Sequence, residues 1–164
     1  MNECFLSIGT NKGSKINNIK DLIEKLKFES FNILDRSSIY ETEPLLKAPQ
    51  PKYYNMVLKI TSKYDCNKLF IKLKNIEHDM GRDFYTDRYS PRIIDIDILT
   101  FNNNIISNEM IKVPHGSLHL RKFVLEPWNE ISPEFNVPDH NLNVSELLNI
   151  SKDISIIRKL DYNI

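Results

Sequence analysis

The sequence has few of the residues that mark disulfide-bonded or zinc-binding proteins. Cys4 and Cys66 are its only cysteines, and they form no Cys-x-x-Cys pair. This pattern excludes a zinc site built from cysteine pairs and argues against a disulfide framework, so we expect a reducing, cytoplasmic environment. The amino-terminal segment Met-Asn-Glu-Cys-Phe has no basic flank and no long apolar run. We therefore expect neither a signal peptide nor a membrane-spanning helix.

The sequence also lacks net charge, because 22 Lys and Arg balance 22 Asp and Glu. A neutral chain argues against a protein whose main work is to coat nucleic acid or an anionic membrane, although a local basic pocket stays open. With 164 residues, of which 41% are hydrophobic, the chain is long enough for one domain with its own core. We take residues 1–164 as a single domain and expect a monomer.

The spacing of apolar residues predicts the order strand, helix, strand, strand, helix, strand. The strands are expected at residues 4–8, 31–42, 53–63 and 93–101, with an interruption at Ser37-Ser38, and the helices at 15–28 and 67–81. This order is the split βαβ pattern, so the expected fold is α+β: a ferredoxin-like βαββαβ antiparallel sheet with helices on one face and C-terminal additions. The opposite face is expected to be free for a site.

Several finer features are also predicted from local residue types. The strand at 53–63 alternates and is expected to be half-buried. Asn67 is the expected N-cap of the second helix, and Pro127 is expected to break the helical turns at 118–126. The turn at 9–14 lacks the Gly-Lys-Ser/Thr ending of a phosphate-binding loop. A short helix is expected at 144–150, whereas the tail at 154–160 has no clear pattern and no assigned function.

The most informative segment is Arg-Ile-Ile-Asp-Ile-Asp-Ile-Leu at residues 92–99. Side chains alternate faces along a strand, so Asp95 and Asp97 should share one face while the isoleucines enter a core. Like charges on one face repel each other, and a divalent cation such as Mg²⁺ would relieve that repulsion. The alternative is an ordinary solvated strand face.

Basic residues bracket the two aspartates in the sequence: Arg82, Arg88, Arg92, His115 and Arg121. Acidic residues for a metal, together with basic residues for phosphate, are what phosphoryl transfer requires. Each basic residue taken singly could instead make a surface salt bridge of little energetic value.

A family resemblance rests on blocks distributed over most of the chain. The blocks are residues 40–45, 54–55, 77 with 81–82, 88–99, 113–115 and 121–127. In this order and spacing they resemble the 6-hydroxymethyl-7,8-dihydropterin pyrophosphokinases of folate biosynthesis, from the first strand to about Leu148. The resemblance implies a Mg-dependent transferase that moves pyrophosphate from ATP to 6-hydroxymethyl-7,8-dihydropterin, releasing AMP. ATP and the pterin are then the partners, and two Mg²⁺ ions are the cofactors.

The resemblance also implies roles for residues at the ATP end of the site. Asp95 and Asp97 match the metal ligands of the family. Together with Arg82 and Arg92 they form the implied catalytic set, and both arginines are also implied to bind phosphate. The remaining implied ATP-binding residues are Arg88, Ile98, His115 and Arg121.

At the pterin end, the resemblance implies an amide between two aromatic walls. Asn55 would hydrogen-bond the pterin ring, with Tyr53 and Phe123 stacking on either side. The remaining implied contacts are Thr42, Pro44, Leu45 and Tyr89. Ordinary core packing is the alternative for the two walls. Glu77 either braces the site by hydrogen bonding or is a solvated helix position.

Five positions depart from the family pattern. Tyr89-Ser90 stands where many members have Trp-Gly, Phe84 where some have arginine, Gly116 where some have an aromatic, and Lys74 where relatives have a neutral residue near adenine. The loops at 43–52 and 82–90 are predicted to close over the substrates. Two other function classes stay open: a single-stranded RNA-binding module, which would need exposed aromatics on its sheet, and a small-molecule sensor of the same architecture.

Overall fold

An antiparallel sheet forms the centre of the computed structural model, which describes residues 1–44, 49–83, 90–162 and 164. The strands are β1 (Asn2–Thr10), β2 (Asn32–Arg36), β3 (Ile39–Thr42), β4 (Tyr53–Ser62), β5 (Asp95–Phe101), β6 (Ile106–Ser107), β7 (Lys112–Val113), β8 (Asn136–Val137), β9 (Leu142–Asn143) and β10 (Ile157–Leu160). The main sheet has the order β10-β3-β4-β1-β5, and β2 also pairs with β4. Strands β6 and β7, and β8 and β9, form two small separate pairs.

Four α-helices in the described residues pack on the two faces of this sheet: α1 (Lys15–Phe28), α2 (Cys66–Asp79), α3 (Lys122–Ile131) and α4 (Val144–Ile150). Helices α1 and α2 share one core with alternate sheet residues such as Leu6, Met56 and Ile96. Helices α3 and α4 share a second core with Phe5 and Val57, which alternation places on the other face. The expected α+β class with an antiparallel sheet is confirmed.

The expectation that the second face is free was wrong for half of that face. Trp128 of α3 is fully buried there against Phe5, with ring centroids 5.2 Å apart. Strand β4 is consequently buried on both sides instead of half-buried, and Val57 is completely inaccessible. The C-terminal helices thus cover one end of the face and leave the other end for a cavity.

Three local predictions also need correction. Asp65, and not Asn67, caps α2, because its side chain accepts a hydrogen bond from the Lys68 N–H. Pro127 lies inside α3 without ending it. The loss of one backbone donor is outweighed by the burial of the apolar face on which Val124 and Trp128 lie. The unassigned tail forms β10 and pairs with β3.

None of the helices in the described part of the chain has the length and apolar character needed to span a membrane. Both Cys4 and Cys66 are buried as free thiols. Burial raises the pKa of the Cys4 thiol to about 12 and that of Cys66 to about 11, so both side chains act as small apolar groups.

Candidate active site

A cavity of about 970 Å³ opens on the second sheet face, beside the first turn of α3. Its volume lies at the upper end of the range for small-molecule sites. It brings together side chains from widely separated parts of the sequence. Those predicted from the sequence are Thr42, Pro44, Tyr53, Asn55, Arg82, Arg92, Asp95, Asp97, His115, Arg121 and Phe123.

The register of the sheet explains how the cavity floor forms. Gly9 in β1 lies opposite Asn55 on one side and Asp95 on the other. A Cβ atom at Gly9 would lie 3.5 Å from Asn55 Oδ1 and 4.0 Å from Asp95 Cβ. The absence of a side chain therefore leaves open space between the amide and the carboxylate. Sequence reasoning assigned Gly9 only to a turn, although a glycine within a strand often marks such a close approach.

The Asp95 carboxylate is held by two arginines. Arg92 Nη1 donates to Asp95 Oδ2 at 2.7 Å, and Arg82 Nη1 donates to Asp95 Oδ1 and to Glu77 Oε2. Burial alone would raise the pKa of Asp95, but the positive charges of Arg82, Lys74 and Arg92 hold it below its ordinary value. Asp95 is therefore ionised at neutral pH, as a metal ligand requires.

Glu77 and Lys74 of α2 fix the backbone between the two aspartates. Glu77 is fully buried, and its Oε1 accepts hydrogen bonds from the Ile96 N–H at 2.6 Å and from Lys74 Nζ at 2.6 Å. Lys74 Nζ also donates to the Ile96 carbonyl oxygen at 2.9 Å. Burial raises the pKa of Glu77, and the positive charges of Lys74 and Arg82 oppose that rise. Glu77 thus braces the site and is not a solvated helix position.

His115 and Arg121 line the cavity on its Asp97 side. The Ser117 N–H lies 3.3 Å from His115 Nδ1 and donates to it, so the proton of the neutral ring is on Nε2. Burial lowers the pKa of His115, although Asp97 opposes this effect. A neutral imidazole is therefore the main form at pH 7, and its Nε2–H can donate to an anionic group.

The two aspartates suit a divalent cation that keeps other ligands. Alternation places Asp95 and Asp97 on the cavity face, while Ile94, Ile96 and Ile98 are buried in the core that α1 and α2 share with the sheet, as the sequence predicted. Among the described residues, no group of three or more His, Cys, Asp or Glu side chains could hold a metal ion. Proteins usually bind Mg²⁺ through only one or two carboxylates, and water and phosphate oxygens complete the coordination of the ion.

The cavity lining also contains an amide and two aromatic side chains. Asn55 is 3% exposed, and its Nδ2 donates to the Thr42 hydroxyl at 2.8 Å. Tyr53 and Phe123 are both only partly buried and line the cavity, so neither is an ordinary core residue. The Arg121 guanidinium lies 5.7 Å from the centroid of the Phe123 ring. A flat molecule with polar groups along its edge would fit among these aromatic and polar side chains.

The described residues leave part of the predicted site untested, and one predicted residue lies elsewhere. Leu45, Arg88 and Tyr89 lie outside the described residues, as does Phe84, so the predictions that rest on them remain untested. Ile98 is described, but its side chain is 4% exposed and packs in the core that α1 and α2 share with the sheet, away from the cavity lining. A contact with nucleotide through its side chain is therefore not supported.

Asn11 is a structural contributor that the sequence analysis missed. It is 1% exposed, and its Oδ1 accepts a hydrogen bond from the Arg92 N–H at 2.8 Å. Its Nδ2 donates to the Pro51 carbonyl oxygen at 3.3 Å. Asn11 thus joins the segments at 50–51 and 90–92 that border the cavity, and no local sequence signal indicates these long-range contacts.

Comparisons with known proteins agree with this arrangement. The family model of 7,8-dihydro-6-hydroxymethylpterin-pyrophosphokinase (HPPK) matches residues 5–133. The chain is 30% identical over 155 residues to the 2-amino-4-hydroxy-6-hydroxymethyldihydropteridine pyrophosphokinase of Haemophilus influenzae, covering 94% of this chain and 96% of that one. The enzyme of the same name from Aquifex aeolicus is 34% identical over 142 residues, covering 87% and 88%.

Longer proteins also match the chain over part of their length. The folic acid synthesis protein fol1 of Pneumocystis carinii is 34% identical over 141 residues, but the chain spans only 19% of its length. A crystal structure of Plasmodium falciparum HPPK-DHPS with pteroate superimposes with a TM-score of 0.71 at 18% identity, covering 90% of this chain and 42% of that one. The match to the family model over most of the chain, and the two bacterial relatives matched over nearly their full length, show that the chain belongs to the HPPK family.

Proposed function

We propose that this chain transfers pyrophosphate from ATP to 6-hydroxymethyl-7,8-dihydropterin in folate biosynthesis, giving AMP and 6-hydroxymethyl-7,8-dihydropterin pyrophosphate. One observation carries the proposal: the lining of one cavity combines paired carboxylates and arginines with an amide and two aromatic side chains. The charged residues suit a metal-bound polyphosphate, and the amide with the aromatic residues suits a flat heterocycle.

At the ATP end, Asp95 and Asp97 would hold two Mg²⁺ ions. Bound there, these cations would offset the charge that develops on the transferring phosphoryl groups. In the structure, Arg82 and Arg92 donate to the Asp95 oxygens. The oxygens of a phosphate group offer these planar guanidiniums an alternative bidentate acceptor, so both arginines can turn from the carboxylate to the nucleotide. His115 and Arg121 add further donors on the same side of the cavity.

At the pterin end, Asn55 is the proposed partner of the ring edge. Its Nδ2 is held by Thr42, so its amide plane is fixed before the ligand arrives. Tyr53 and Phe123 would stack on the ring faces, with Pro44 at the rim. A hydroxymethyl group held in this slot would point toward the phosphate end of the same cavity. The protein would then contribute mainly by positioning the substrates and stabilising charge, and little by covalent chemistry.

The proposal also covers the remaining predicted residues, the connectivity of the fold and the oligomeric state. Leu45, Arg88 and Tyr89 are proposed to complete the substrate contacts from the two loops, and Ile98 is proposed to contact ATP through its backbone. The sheet order and the positions of α1 and α2 support a ferredoxin-like βαββαβ connectivity. We also propose that the chain acts as a cytoplasmic monomer, in keeping with its two free, buried thiols.

The decisive experiment is incubation with ATP, Mg²⁺ and the reduced pterin, followed by nucleotide analysis. We expect AMP and the pterin pyrophosphate in equal amounts, and only when both substrates and the metal are present. Reactions lacking the pterin or containing EDTA are the matched controls. Binding of both compounds without AMP would favour the sensor alternative, and formation of ADP instead of AMP would contradict pyrophosphoryl transfer.

A further inference from the structure

The amino terminus of α3 is capped by a residue far along the chain. The residue before this helix, Arg121, provides no side-chain cap. Instead, Asp153 Oδ2 accepts a hydrogen bond of 2.8 Å from the Lys122 N–H, the first backbone donor of the helix. A carboxylate at this position satisfies an otherwise unpaired N–H and interacts favourably with the helix dipole.

Asp153 is itself held in a fixed position. Its N–H donates to the Ser151 hydroxyl at 3.3 Å, and its Oδ1 accepts from the Ser155 N–H at 2.9 Å. Burial alone would raise the pKa of Asp153, but the hydrogen bonds from Ser155 and Lys122 lower it. The carboxylate is therefore charged at neutral pH and both of its oxygens are used.

The first turn of α3 carries part of the cavity wall. Arg121 and Phe123 both line the cavity, one residue on either side of Lys122. The position of the Lys122 backbone therefore sets where the guanidinium and the aromatic ring lie. Because the hydrogen bond from Asp153 fixes that backbone, it also limits how far this wall can move.

The same C-terminal segment reaches the opposite wall of the cavity. After Ser155 the chain enters β10, in which Ile157 lies opposite Thr42 of β3. The Thr42 hydroxyl accepts the hydrogen bond that orients Asn55. Residues 151–160 thus connect the Phe123 wall with the Asn55 wall. The family model match ends at residue 133, before this segment.

We propose that Asp153 is a positioning residue that pre-orders the Arg121 and Phe123 wall for ligand binding. The inference rests on the proposed function, because it takes the ligand of that wall to be the pterin. Fixing a binding group before the ligand arrives reduces the ordering cost of binding. The loss of the cap should therefore weaken binding more than the loss of a cap elsewhere in the fold.

Asp153→Ala tests the proposal through the dissociation constant for 6-hydroxymethyl-7,8-dihydropterin, measured by calorimetry with a non-hydrolysable ATP analogue present. We expect the dissociation constant to rise about fivefold, the equivalent of a typical helix cap. Asp153→Asn should raise the dissociation constant less than Asp153→Ala, because its one amide oxygen can still accept from the Lys122 N–H but not also from the Ser155 N–H. The exchange rate of the Lys122 amide proton should rise in the alanine variant alone.

Asn143→Ala is the matched control, because Asn143 caps α4 through the Glu146 N–H and has no place in the cavity lining. It should lower thermal stability about as much as Asp153→Ala and leave the dissociation constant unchanged. Equal binding by Asp153→Ala and native protein, or equal weakening by both alanine variants, would overturn the inference. If Asp153→Ala does not fold, Asp153→Ser, with its shorter cap, is measured against the same criteria. Failure of the native protein to bind the pterin at all would instead contradict the proposed function.

Discussion

Glu77 accepts a hydrogen bond of 2.6 Å from the backbone N–H of Ile96, the residue that separates Asp95 from Asp97. Lys74, one turn earlier on the same helix, donates to the carbonyl oxygen of Ile96. Two charged side chains of α2 therefore satisfy both backbone groups of the residue between the carboxylates. The placement of the proposed metal ligands thus depends on a buried ion pair as well as on the sheet.

Glu77→Gln removes the negative charge of that ion pair while preserving its volume. The amide oxygen can still accept from Ile96, but Lys74 and Arg82 both lose the charge of Glu77 in a buried setting, although Arg82 still donates to Asp95. We expect the free energy of unfolding, measured in urea, to fall by about 3 kcal/mol. The exposed residue Glu109 offers the control Glu109→Gln, which should change stability by less than about 0.5 kcal/mol. Equal stabilities of the two variants would show that the buried charge is dispensable.

Asp97→Asn separates the effect on chemistry from the effect on folding, since the hydrogen bonds from Arg82 and Arg92 described above go to Asp95. We expect AMP formation to fall by more than about a hundredfold, because one anionic metal ligand is lost. The thermal transition should stay unchanged or rise slightly, because two like charges on one strand face are reduced to one. Calorimetric titration with Mg²⁺ and a non-hydrolysable ATP analogue should show weaker metal binding.

Asp139→Asn is the control for this substitution, because Asp139 lies exposed between β8 and β9. It should leave turnover unchanged. Full activity of Asp97→Asn would remove the carboxylate pair from the mechanism and favour the solvated strand face.

Arg82→Ala tests whether this guanidinium acts mainly in the transition state. We expect turnover in single-turnover experiments to fall by about two to three orders of magnitude, while the dissociation constant for ATP changes only a few-fold. Arg36→Ala, at an exposed position of β2, should alter neither quantity. An Arg82→Ala protein with native turnover would limit Arg82 to structural pairing with Glu77 and Asp95.

The sequence predicted those parts of the site that depend on local periodicity. Asp95 and Asp97 share the cavity face and the isoleucines face the core, because a strand alternates with a period of two whatever lies around it. The helix at 15–28 was also predicted with nearly the observed bounds, because its apolar residues recur with the period of an α-helix. Family resemblance supplied Asn55 and Phe123, which no local pattern distinguishes from core residues.

Long-range packing decided what the sequence could not predict. The buried state of Glu77 depends on how α2 lies against β5, and the helical spacing of α2 gives no information about that partner. Burial of β4 on both faces follows from α3, whose Trp128 packs against Phe5 more than a hundred residues earlier in the chain. Pairing of β10 with β3 depends on the same kind of contact, because the short tail has no alternation strong enough to predict a strand.

Glu130 joins α3 to β3 and β10 through four hydrogen bonds. Its Oε1 accepts from the Ser38 hydroxyl at 2.8 Å and from Lys159 Nζ at 2.9 Å. Its Oε2 accepts from the Ser38 N–H at 3.0 Å and from the Tyr40 hydroxyl at 2.9 Å. Burial alone would raise the pKa of Glu130, but these donors lower it below the ordinary value.

A lowered folded-state pKa means that the ionised carboxylate stabilises the fold at neutral pH. That contribution is complete above the pKa of the unfolded chain and is lost as the pH falls through the folded pKa. Glu130→Gln should therefore lower the free energy of unfolding by about 1–2 kcal/mol at pH 7. The difference from the native protein should shrink as the pH falls through the folded-state pKa of Glu130, which lies below the ordinary value for glutamate. Urea unfolding across this pH range measures the effect.

Glu134→Gln, an exposed neighbour beyond the end of α3, is the control for this pH dependence. Its stability should follow that of the native protein at every pH, because Glu134 makes no comparable set of hydrogen bonds among the contacts of the described residues. A Glu130→Gln deficit that stays constant from neutral to acidic pH would mean that the shape of the side chain, and not its charge, joins α3 to the sheet. In that case the acid sensitivity of the fold would have to come from other carboxylates, of which Asp95 and Asp153 also have a lowered pKa.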